Sequence, residues 1–376
     1  MITIEKVITK KQQKEFIDFP LKLYDGCEYF VPPLYMDEKK MFRKGFVYND
    51  TCDIVCFNAY EDGRMVGRIQ GIIQKAANEK NSEKRARFTR FDAIDSQPVA
   101  DALFKAAEDW AREKGMDTVC GPLGFSDLER EGLLVEGFDQ LSTFEEQYNY
   151  DYYPRLVENC GYRKEVDWTE SKIYPPEKDD GALERISQKL LKRYNMRVGP
   201  AKNVNDFLNR YADGMFELLD KSYAHLYGTV PFTPGMKKLM IDNFRLIIDL
   251  EHVGVVLDEN DNIVCIGVCF PSIAEAVQKS KGKLTPAALV RLLKAIKHPK
   301  VIDLGLVGID PVWANHGVSV AVSAALERML RMPGVDHAET NLNLEDNHLI
   351  QNQWKRFVAV QHKRRRSYVK KLITEN

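Results

Sequence analysis

Residues 308–330, GIDPVWANHGVSVAVSAALERML, join a strand end to a long amphipathic helix through a short loop. Pro311 follows the strand end, and Gly317 stands just before the helix. A helix N-terminus has unpaired N–H groups and the positive end of the helix dipole, so it binds anions without a charged side chain. Glycine lets a ligand approach the backbone, and the Ser319 hydroxyl adds a donor. The loop therefore has two interpretations, a phosphate site or a plain turn.

The same order of elements occurs twice along the chain. The first copy has a hairpin with an Asp62-Gly63 turn, then a strand, a helix and a strand, predicted at 53–74, 86–95, 98–115 and 116–122. The second copy has a hairpin turn at 258–262, then a strand, helix and strand, predicted at 300–311, 318–334 and 335–344. When the copies are aligned, the second is four residues longer between its strand and its helix. The loop with Gly317 lies in this longer connection.

Length and composition predict two domains. A chain of 376 residues with 44% hydrophobic residues is long enough for two cores of ordinary size. The segment 172–185, KIYPPEKDDGALER, combines two prolines and a glycine with several charges, as exposed linkers do. We therefore expect one domain at 1–180 and a second at 181–376.

The charge and cysteine content narrow the functional classes. The 54 Lys and Arg residues balance 55 Asp and Glu residues, so the net charge does not favour binding to nucleic acid or to an anionic membrane. The seven cysteines lack CxxC pairs and predict reduced thiols and no metal site. The sequence has neither the apolar core of a signal peptide nor a run long enough to span a membrane. These features predict a cytoplasmic protein with no membrane partner.

The order of strand, proline, glycine loop, helix and strand resembles the acyl-coenzyme A signature of the GNAT superfamily of N-acyltransferases. In that signature the strand is followed roughly by Pro, two residues, Arg or Gln, two residues, Gly, one residue, and Gly or Ala. Ala314 replaces the Arg or Gln, and Ser319 replaces the second Gly or Ala. The resemblance implies a coenzyme site made of Ile309, Ala314, Asn315, His316, Gly317, Val318, Ser319 and Asn347.

Residues 341–357 resemble the family segment in which an Asn begins a helix beside the pantetheine arm, and Asn347 matches that Asn. The family's usual general acid is a Tyr seven positions later, where this chain has Trp354. An indole cannot supply that proton at neutral pH. Tyr368, on the predicted last strand, is the candidate replacement.

The family's chemistry implies that a neutral amine attacks the thioester carbonyl while hydrogen-bond donors stabilise the developing oxyanion. The backbone N–H of Ile309 is the candidate donor. Asp303, Glu339 and His337 lie on the two strands that flank the site and are candidate general bases. As residues near strand edges, they are also compatible with ordinary solvated side chains.

The acceptor substrate is expected near residues 222–234, SYAHLYGTVPFTP, which match the place of the acceptor-binding helix and loop in GNAT enzymes. Tyr223, Tyr227 and Phe232, together with His225, are candidates for a pocket lining. The alternative is that these aromatic residues pack in the core or in a lid.

In the first half, residues 148–167 resemble the closing segment of a GNAT domain, but the phosphate loop is missing. The segment 121–139 resembles a signature of a bacterial group of tandem GNAT-like proteins. Its five acidic residues suit either the steering of an amine or a solvated loop, and we favour the solvated loop. These acidic residues are Asp127, Glu129, Glu131, Glu136 and Asp139.

Residues 355–371 contain eight Lys or Arg and no acid. This basic tail has three interpretations: a site for the 3'-phosphate of coenzyme A, an RNA-binding segment, or the solvated face of a closing strand. The alternating pattern favours the third interpretation, with Val358, Val360 and Tyr368 on the opposite, buried face.

Together these features predict an α/β protein with mixed sheets, formed by two GNAT-like domains in tandem. The predicted function is acyl-CoA-dependent N-acyltransfer by the C-terminal domain. Acetyl-CoA or another acyl-CoA would be the co-substrate, and a small-molecule or peptide amine the acceptor. One alternative is a Fem-type transferase that uses aminoacyl-tRNA, which the basic tail favours. The other is a non-catalytic ligand-binding or scaffold protein, which Ala314, Ser319 and Trp354 favour.

Overall fold

A computed structural model describes residues 1–178 and 180–372 of the chain. In chain order, its first elements are β1 (Ile2–Lys6), α1 (Lys10–Leu23), α2 (Tyr35–Lys40), β2 (Cys52–Glu61), β3 (Arg64–Gln74), α3 (Lys75–Asn81), β4 (Arg85–Ala93), α4 (Gln97–Glu113), β5 (Thr118–Gly121), β6 (Leu133–Glu136), α5 (Tyr153–Asn159) and β7 (Arg163–Tyr174). The elements that follow are α6 (Ala182–Arg193), β8 (Arg197–Val198), α7 (Val204–Tyr223), α8 (Pro234–Phe244), β9 (Val253–Leu257), β10 (Ile263–Pro271), α9 (Ala274–Lys279), α10 (Pro286–Lys297), β11 (Val301–Ile309), α11 (Ser319–Leu330), β12 (His337–Thr340), β13 (Asn343–Leu344), α12 (His348–Trp354) and β14 (Val358–Lys371).

The chain forms two compact units that do not simply follow each other in sequence. Unit 1 contains Met1–Thr169, Ala274–Leu289 and the chain from Lys363 onward, and unit 2 contains Glu170–Ile273 and Val290–His362. These units differ from the expected domains 1–180 and 181–376. The Pro- and Gly-rich linker marks only the connection from β7 to α6, because two later segments return to unit 1. Asp179 in that linker and residues 373–376 lie outside the described residues.

Unit 1 contains a sheet in the order β1-β2-β3-β4-β5-β14. As predicted, β2 and β3 form a hairpin whose turn residues, Asp62 and Gly63, have positive φ angles of 48° and 76°. Strands β4 and β5 are parallel, as the helical crossover α4 between them requires. The buried face of α4 includes Leu103 and Phe104 and contributes to the core of this unit.

Unit 2 contains a sheet in the order β7-β12-β11-β10-β9-β8. Strands β11 and β12 are parallel and are connected through α11, so the predicted repeat of hairpin, strand, helix and strand is confirmed. Ile302 and Leu304 pack in a cluster with α11, while Ile266 and Leu306 pack in a cluster with α7.

None of the helices in the ranges 1–178 and 180–372 combines the length and apolar content that a membrane span needs.

Candidate functional site

Strands β11 and β12 are paired along the first four residues of β11 and the whole of β12. The parallel register begins at Val301 and His337 and ends at Leu304 and Thr340. At that point β11 has a bulge, which shifts its register against β10. Gly305 permits the bulge, because a Cβ there would lie 2.8 Å from the Phe270 ring and 3.0 Å from a backbone oxygen. The bulge therefore lies where the pairing with β12 ends and the carboxyl end of β11 continues.

The amide of Ile309 lies on the edge of β11 that faces away from β10. Asp310 donates its N–H to the Val264 carbonyl at 2.9 Å, so Asp310 and Val264 form a hydrogen-bonded pair of the antiparallel ladder. Because such pairs alternate with non-hydrogen-bonded ones, the N–H of Ile309, which is paired with Cys265, points to the opposite edge. A ligand on that edge would meet this amide.

The hydroxyl of Tyr223 lies on the same edge, two residues before Ile309. It donates to the Val307 carbonyl at 3.1 Å and lies 3.4 Å from the Val307 nitrogen. Tyr223 is the last residue of α7, so this contact ties that helix to the carboxyl end of β11. The structure thus brings Tyr223 and Ile309 close together.

The other three acceptor-site candidates have less direct support. The Phe232 ring packs 4.9 Å from the Phe216 ring and belongs to the periphery of the α7 cluster, which favours a packing role. Tyr227 is half-buried in the loop between α7 and α8, and His225 is exposed.

The loop between β11 and α11 has the conformation that its sequence indicates. The Asp310 side chain accepts the Val312 N–H at 2.9 Å, and Ala314–His316 form a single 3₁₀ turn. Gly317 then adopts φ +76°, in the left-handed region that favours glycine, and α11 begins at Ser319. Residues 314–316 are exposed, so the loop is open to a ligand.

Three successive amides at this helix N-terminus, those of Gly317, Val318 and Ser319, donate no hydrogen bond to any described residue. The next two amides are occupied: Val320 donates to the Gly317 carbonyl and Ala321 to the Val318 carbonyl, each at 3.0 Å. Such N–H groups, with the positive end of the α11 dipole, suit a phosphate.

Side chains from the end of α6 and from Tyr194, the residue after it, support this loop, which the sequence alone did not indicate. The Tyr194 ring lies 5.3 Å from the Trp313 ring and 5.8 Å from the His316 ring. Leu190 lies below Gly317, with a methyl carbon 3.3 Å from where a Cβ would be. The Arg193 guanidinium lies 5.4 Å from the centre of the Tyr194 ring and adds positive charge nearby. The amphipathic pattern of α6 was the available signal, but it does not specify which loop the helix contacts.

The candidate bases form a buried row across the sheet of unit 2. Asp303 is opposite Glu339 in the parallel register, and Glu339 is opposite Lys172 in the antiparallel one. His337 Nε2 lies 3.5 Å from Glu339 Oε1, and His362 Nε2 lies 3.6 Å from Glu339 Oε2. The structure therefore brings together the three predicted residues, and it adds Lys172 and His362, which the sequence analysis missed.

Electrostatics within this row favour a charged histidine. Burial lowers the pKa of His337, but the nearby Glu339 carboxylate and the hydrogen-bonded Asp336 carboxylate outweigh burial and raise that pKa. The Asp336 bond is 2.7 Å long. No group of His, Cys, Asp or Glu side chains in the described parts of the chain is arranged to hold a metal ion.

The row is far from Ile309 along the strand. Asp303 precedes Ile309 by six residues, which is roughly 17–20 Å in an extended strand. A general base must be within hydrogen-bond reach of the proton it removes, or one water away from it. As candidate general bases, Asp303 and Glu339 are therefore too far along the strand to reach a proton beside the Ile309 amide, either directly or through one water.

Two candidates around the coenzyme arm have clear structural roles. Asn347 is the N-cap of α12, and its side-chain oxygen accepts the Ile350 N–H at 3.3 Å. Trp354 donates its indole N–H to Asn343 Oδ1 at 2.8 Å. The predicted start of a helix at Asn347 is confirmed, and Trp354 has the role of a structural donor.

Tyr368 does not lie in unit 2. It is fully buried in the core of unit 1, where it is paired with Gly121 of β5 and its hydroxyl donates to Glu158 at 3.1 Å. The physical reason is that the second half of β14 belongs to the unit 1 sheet. We therefore remove Tyr368 from the candidate site of unit 2.

The basic tail buries Tyr368 as expected, but its other residues differ from the expected pattern. Lys363 and Arg365 are buried, at 1% and 0% exposure, whereas Val358 and Val360 are exposed. Arg366 Nε donates to Asp167 Oδ1 at 2.8 Å, and this carboxylate also pairs with other basic side chains. The interpretation as a solvated face is therefore wrong for the β14 residues that belong to unit 1.

The acidic segment of unit 1 is also largely buried. After β5 the chain continues along β4, where Leu123 donates its N–H to the Phe88 carbonyl at 2.9 Å and Phe125 is fully buried. Glu131 is only 3% exposed. Burial raises the pKa of Glu129 to about 7, with the Glu38 carboxylate acting in the same direction, against the Arg90 guanidinium. The expected solvated loop is thus wrong for this part of 121–139, although Glu136 and Asp139 are exposed.

Comparisons with known proteins agree with the fold. No protein-family model matches the chain. The chain is 26% identical over 388 residues to Protein YghO of Escherichia coli (strain K12), covering 98% of this chain and 95% of that protein. It is 28% identical over 303 residues to Bacterial ceramide synthase of Caulobacter vibrioides (strain NA1000 / CB15N), covering 79% of this chain and 77% of that protein.

Among solved structures, a tandem GNAT protein from the clavulanic acid biosynthesis pathway matches with a TM-score of 0.58 at 11% identity, covering 100% of both chains. A GCN5-related N-acetyltransferase from Sphaerobacter thermophilus matches with a TM-score of 0.50 at 12% identity, covering 99% of this chain and 96% of that one. The predicted fold is confirmed: the chain has a tandem GNAT-like fold, with α/β architecture and mixed strand directions.

Proposed function

We propose that this protein is an N-acyltransferase that binds an acyl-CoA in unit 2 and transfers its acyl group to a primary amine. The observation that carries the proposal is the loop before α11, which is exposed at residues 314–316 and ends in three amides that donate no hydrogen bond to any described residue, at the start of a 12-residue helix. These amides suit the pyrophosphate of the coenzyme.

The reaction requires few groups. The amine nitrogen attacks the thioester carbonyl, and the carbonyl oxygen takes up negative charge. The N–H of Ile309 points away from β10 and would donate to that oxygen. When the tetrahedral intermediate collapses, the C–S bond breaks, the thiolate takes a proton and the nitrogen loses one.

Tyr223 is our candidate for the proton donor to the thiolate. Its hydroxyl is held at Val307, two residues from Ile309 on the same strand edge. A tyrosine hydroxyl can donate this proton, whereas the indole of Trp354 cannot. Asp303, Glu339 and His337 lie more than one water away from Ile309, so the proton that the amine loses would pass to bulk water.

One curated relative suggests the substrate class. Its name is Bacterial ceramide synthase. A ceramide is a long-chain amino alcohol that is acylated on its nitrogen. The name therefore supports a long-chain amino alcohol as acceptor and a long-chain acyl-CoA as donor for this chain. Acetyl transfer to a small-molecule or peptide amine is the alternative.

The structure weakens the support for a transferase that uses aminoacyl-tRNA. That alternative depended on a basic tail available for RNA. Lys363 and Arg365 are buried, and Arg364, Arg366 and Lys370 pair with carboxylates. We therefore propose CoA rather than tRNA as the acyl carrier.

Thermal unfolding of the full chain with coenzyme A, acetyl-CoA and palmitoyl-CoA tests the proposed site. A ligand at 100 times its Kd should stabilise the protein by about 2.7 kcal/mol, which is visible as a shift of the unfolding temperature. We expect the Gly317→Asp variant to lose this shift, because the substitution places a carboxylate at the phosphate loop and strains a backbone with positive φ.

Gly334→Asp is the matched control. Gly334 follows the other end of α11, has φ +92° and has open space around its Cα, so the substitution introduces similar strain and the same charge. The control should keep the coenzyme shift. A folded wild-type protein that responds to none of the three coenzymes would favour the scaffold alternative. If it does respond, release of free CoA from palmitoyl-CoA with sphinganine, compared with acetyl-CoA and small amines, then identifies the substrates.

A further inference from the structure

Helix α10 and the turn before it expose an unusual density of large apolar side chains. Leu289, Val290 and Leu293 are 53%, 67% and 56% exposed, and Leu284 is 54% exposed. No other ten-residue stretch in the described ranges, 1–178 and 180–372, exposes as many large apolar residues. Exposed apolar residues are common singly, but a contiguous group indicates an interaction surface.

The sequence builds this helix with two different apolar faces. Thr285 caps its first turn by accepting the Ala288 N–H at 3.2 Å, and Pro286 follows at a position where helices tolerate proline. Ala288 is fully buried, and Leu292 and Ala295 on the same face are half-buried. This inner face packs on the protein, whereas each outer apolar side chain stays more than half exposed.

The spacing of the outer residues places them together. Leu289 and Leu293 are four residues apart and Val290 and Leu293 three, so they form one stripe on the helix. Arg291 and Lys294 are three residues apart and lie along one side of this stripe, and Lys297 extends it at the helix end. The helix thus presents an apolar stripe bordered by cations.

All the charged residues of the surrounding segment are basic. Residues 279–300 contain seven Lys or Arg and no Asp or Glu, although the whole chain has a net charge of -1. Lys279 and Lys281 pair with Glu275 and Asp25, at 3.2 and 2.6 Å. Arg291, Lys294 and Lys297 are exposed and form no ion pair with any described residue. Their charge is available to a partner.

We propose that the outer face of α10 binds an anionic membrane surface, with the helix lying in the plane of the interface. An apolar stripe flanked by Lys and Arg is the pattern of interfacial helices, in which apolar side chains enter the boundary between headgroups and acyl chains while the cations contact anionic headgroups. A nucleic acid would leave the apolar stripe in water. This inference goes beyond the proposed acyl transfer and does not depend on it.

Cosedimentation of the full-length protein with vesicles tests the proposal. One set of vesicles contains equal parts of phosphatidylglycerol and phosphatidylcholine, and the other contains phosphatidylcholine alone. We expect binding to the anionic vesicles that weakens as NaCl is added, because exposed charges are screened. Binding to the neutral vesicles should be much weaker.

Two variants separate the contributions of charge and apolar contact. Arg291→Gln with Lys294→Gln should lower the partition coefficient roughly 25-fold, about fivefold for each cation. Leu289→Ser with Leu293→Ser should lower it at least about tenfold. The matched control, Lys105→Gln with Lys238→Gln, removes the same charge from exposed positions on α4 and α8 and should leave binding unchanged. Unfolding temperatures establish that each variant is folded.

Two results would overturn the proposal. The first is vesicle binding that is absent, or that neither pair of α10 substitutions reduces. The second is self-association of the vesicle-free protein that Leu289→Ser with Leu293→Ser abolishes, since a second copy would then cover the apolar stripe. Coenzyme binding measured on the same samples is a separate readout, so failure here leaves the proposed acyl transfer intact.

Discussion

At the residue scale, Tyr223 is the side chain whose proposed role is easiest to separate from its structural one. Its hydroxyl is bonded to the backbone of Val307 on the edge that also presents the Ile309 amide. If this hydroxyl protonates the departing thiolate, Tyr223→Phe should lower kcat roughly 100-fold, within the usual range for general acid catalysis. The coenzyme-induced thermal shift should remain. The assay is release of free CoA under saturating acyl-CoA and amine.

Tyr211→Phe is a suitable control because Tyr211 lies on the same helix and donates to the Pro200 carbonyl at 3.0 Å. It should leave kcat nearly unchanged. Equal losses of kcat in both variants, accompanied by equal losses of unfolding temperature, would assign Tyr223 a purely structural role.

Glu129 gives a prediction about pH. Burial raises its pKa from 4.5 to about 7 in the folded chain, so the folded state holds a proton that the unfolded state releases between these values. The stability contributed by this group is therefore highest below about pH 4.5 and is lost as the pH rises through about 7. Glu129→Gln should raise the unfolding temperature relative to wild type at pH 8, and the difference should shrink at pH 5.

The comparison for this experiment is Asp139→Asn, which removes an exposed carboxylate from the same segment. It should leave the unfolding temperature within about 1 °C at both pH values, because exposed charges contribute little. A stabilising effect of Glu129→Gln that is the same at pH 5 and pH 8 would contradict the raised pKa.

At the element scale, local signals predicted the segments around the candidate site, and non-local contacts were not predictable. The Asp62-Gly63 hairpin and the turn at Gly317 are set by residues next to each other in sequence. The direction of the Ile309 amide depends on the register with β10, and the support of the loop by Tyr194 depends on a helix more than 100 residues earlier. The sequence pattern of these segments indicates neither the register with β10 nor the contact with Tyr194.

Strand β14 also shows that a sequence pattern does not reveal contacts with distant segments of the chain. Alternation predicted the strand and the buried Tyr368 correctly, but it placed Val358 and Val360 rather than Lys363 and Arg365 in the interior, because the usual rule buries valine and exposes basic residues. Arg365 is buried with its guanidinium bonded to the Gln147 carbonyl, and its Nε lies 3.8 Å from Glu146. The acids that make this burial possible lie more than 190 residues away in sequence, so composition near β14 could not indicate them.

Substitution of Asp167 tests how much the pairing of a buried acid with the basic residues of β14 stabilises the protein. It is 1% exposed and pairs with Lys164, Arg364 and Arg366. Burial alone would raise its pKa, but these cations lower it, so the carboxylate contributes stability above about pH 3.8 that is lost as the pH falls through its lowered pKa. Asp167→Asn should cost about 1.5–3 kcal/mol at pH 7, because it removes the buried charge that accepts hydrogen bonds from partly exposed cations.

Urea denaturation at pH 7 and at acid pH measures this effect, and the cost should fall at the acid end. Glu136→Gln is the control, since Glu136 is 61% exposed and pairs with Arg364 at 3.3 Å. Its effect should not exceed about 1 kcal/mol. A small cost for Asp167→Asn at pH 7 would show that the arginines of β14 find other partners.

At the scale of the whole molecule, unit 1 is built from segments that are distant in sequence. This arrangement predicts the effect of truncating the chain. Unit 1 takes β5 and β6 from the first half of the sequence and their common neighbour, β14, from the end. Without residues 363–372, both strands lose their ladder with β14, and Tyr368 is removed from the core. A chain that ends at His362 should therefore lose the native structure of unit 1, although it retains all of residues 1–169.

Hydrogen exchange followed residue by residue tests this prediction in a single sample. In the truncated chain, the amides of Val119 and Cys120 in β5 should exchange far faster than in the full chain, because local opening becomes easy when strand pairing is lost. The hairpin of β9 and β10 is the internal control, since its pairing lies wholly within unit 2, and its amides should keep their protection. Unchanged protection of β5 would mean that the first 169 residues fold without the end of the chain, as the expected boundary near residue 180 implied.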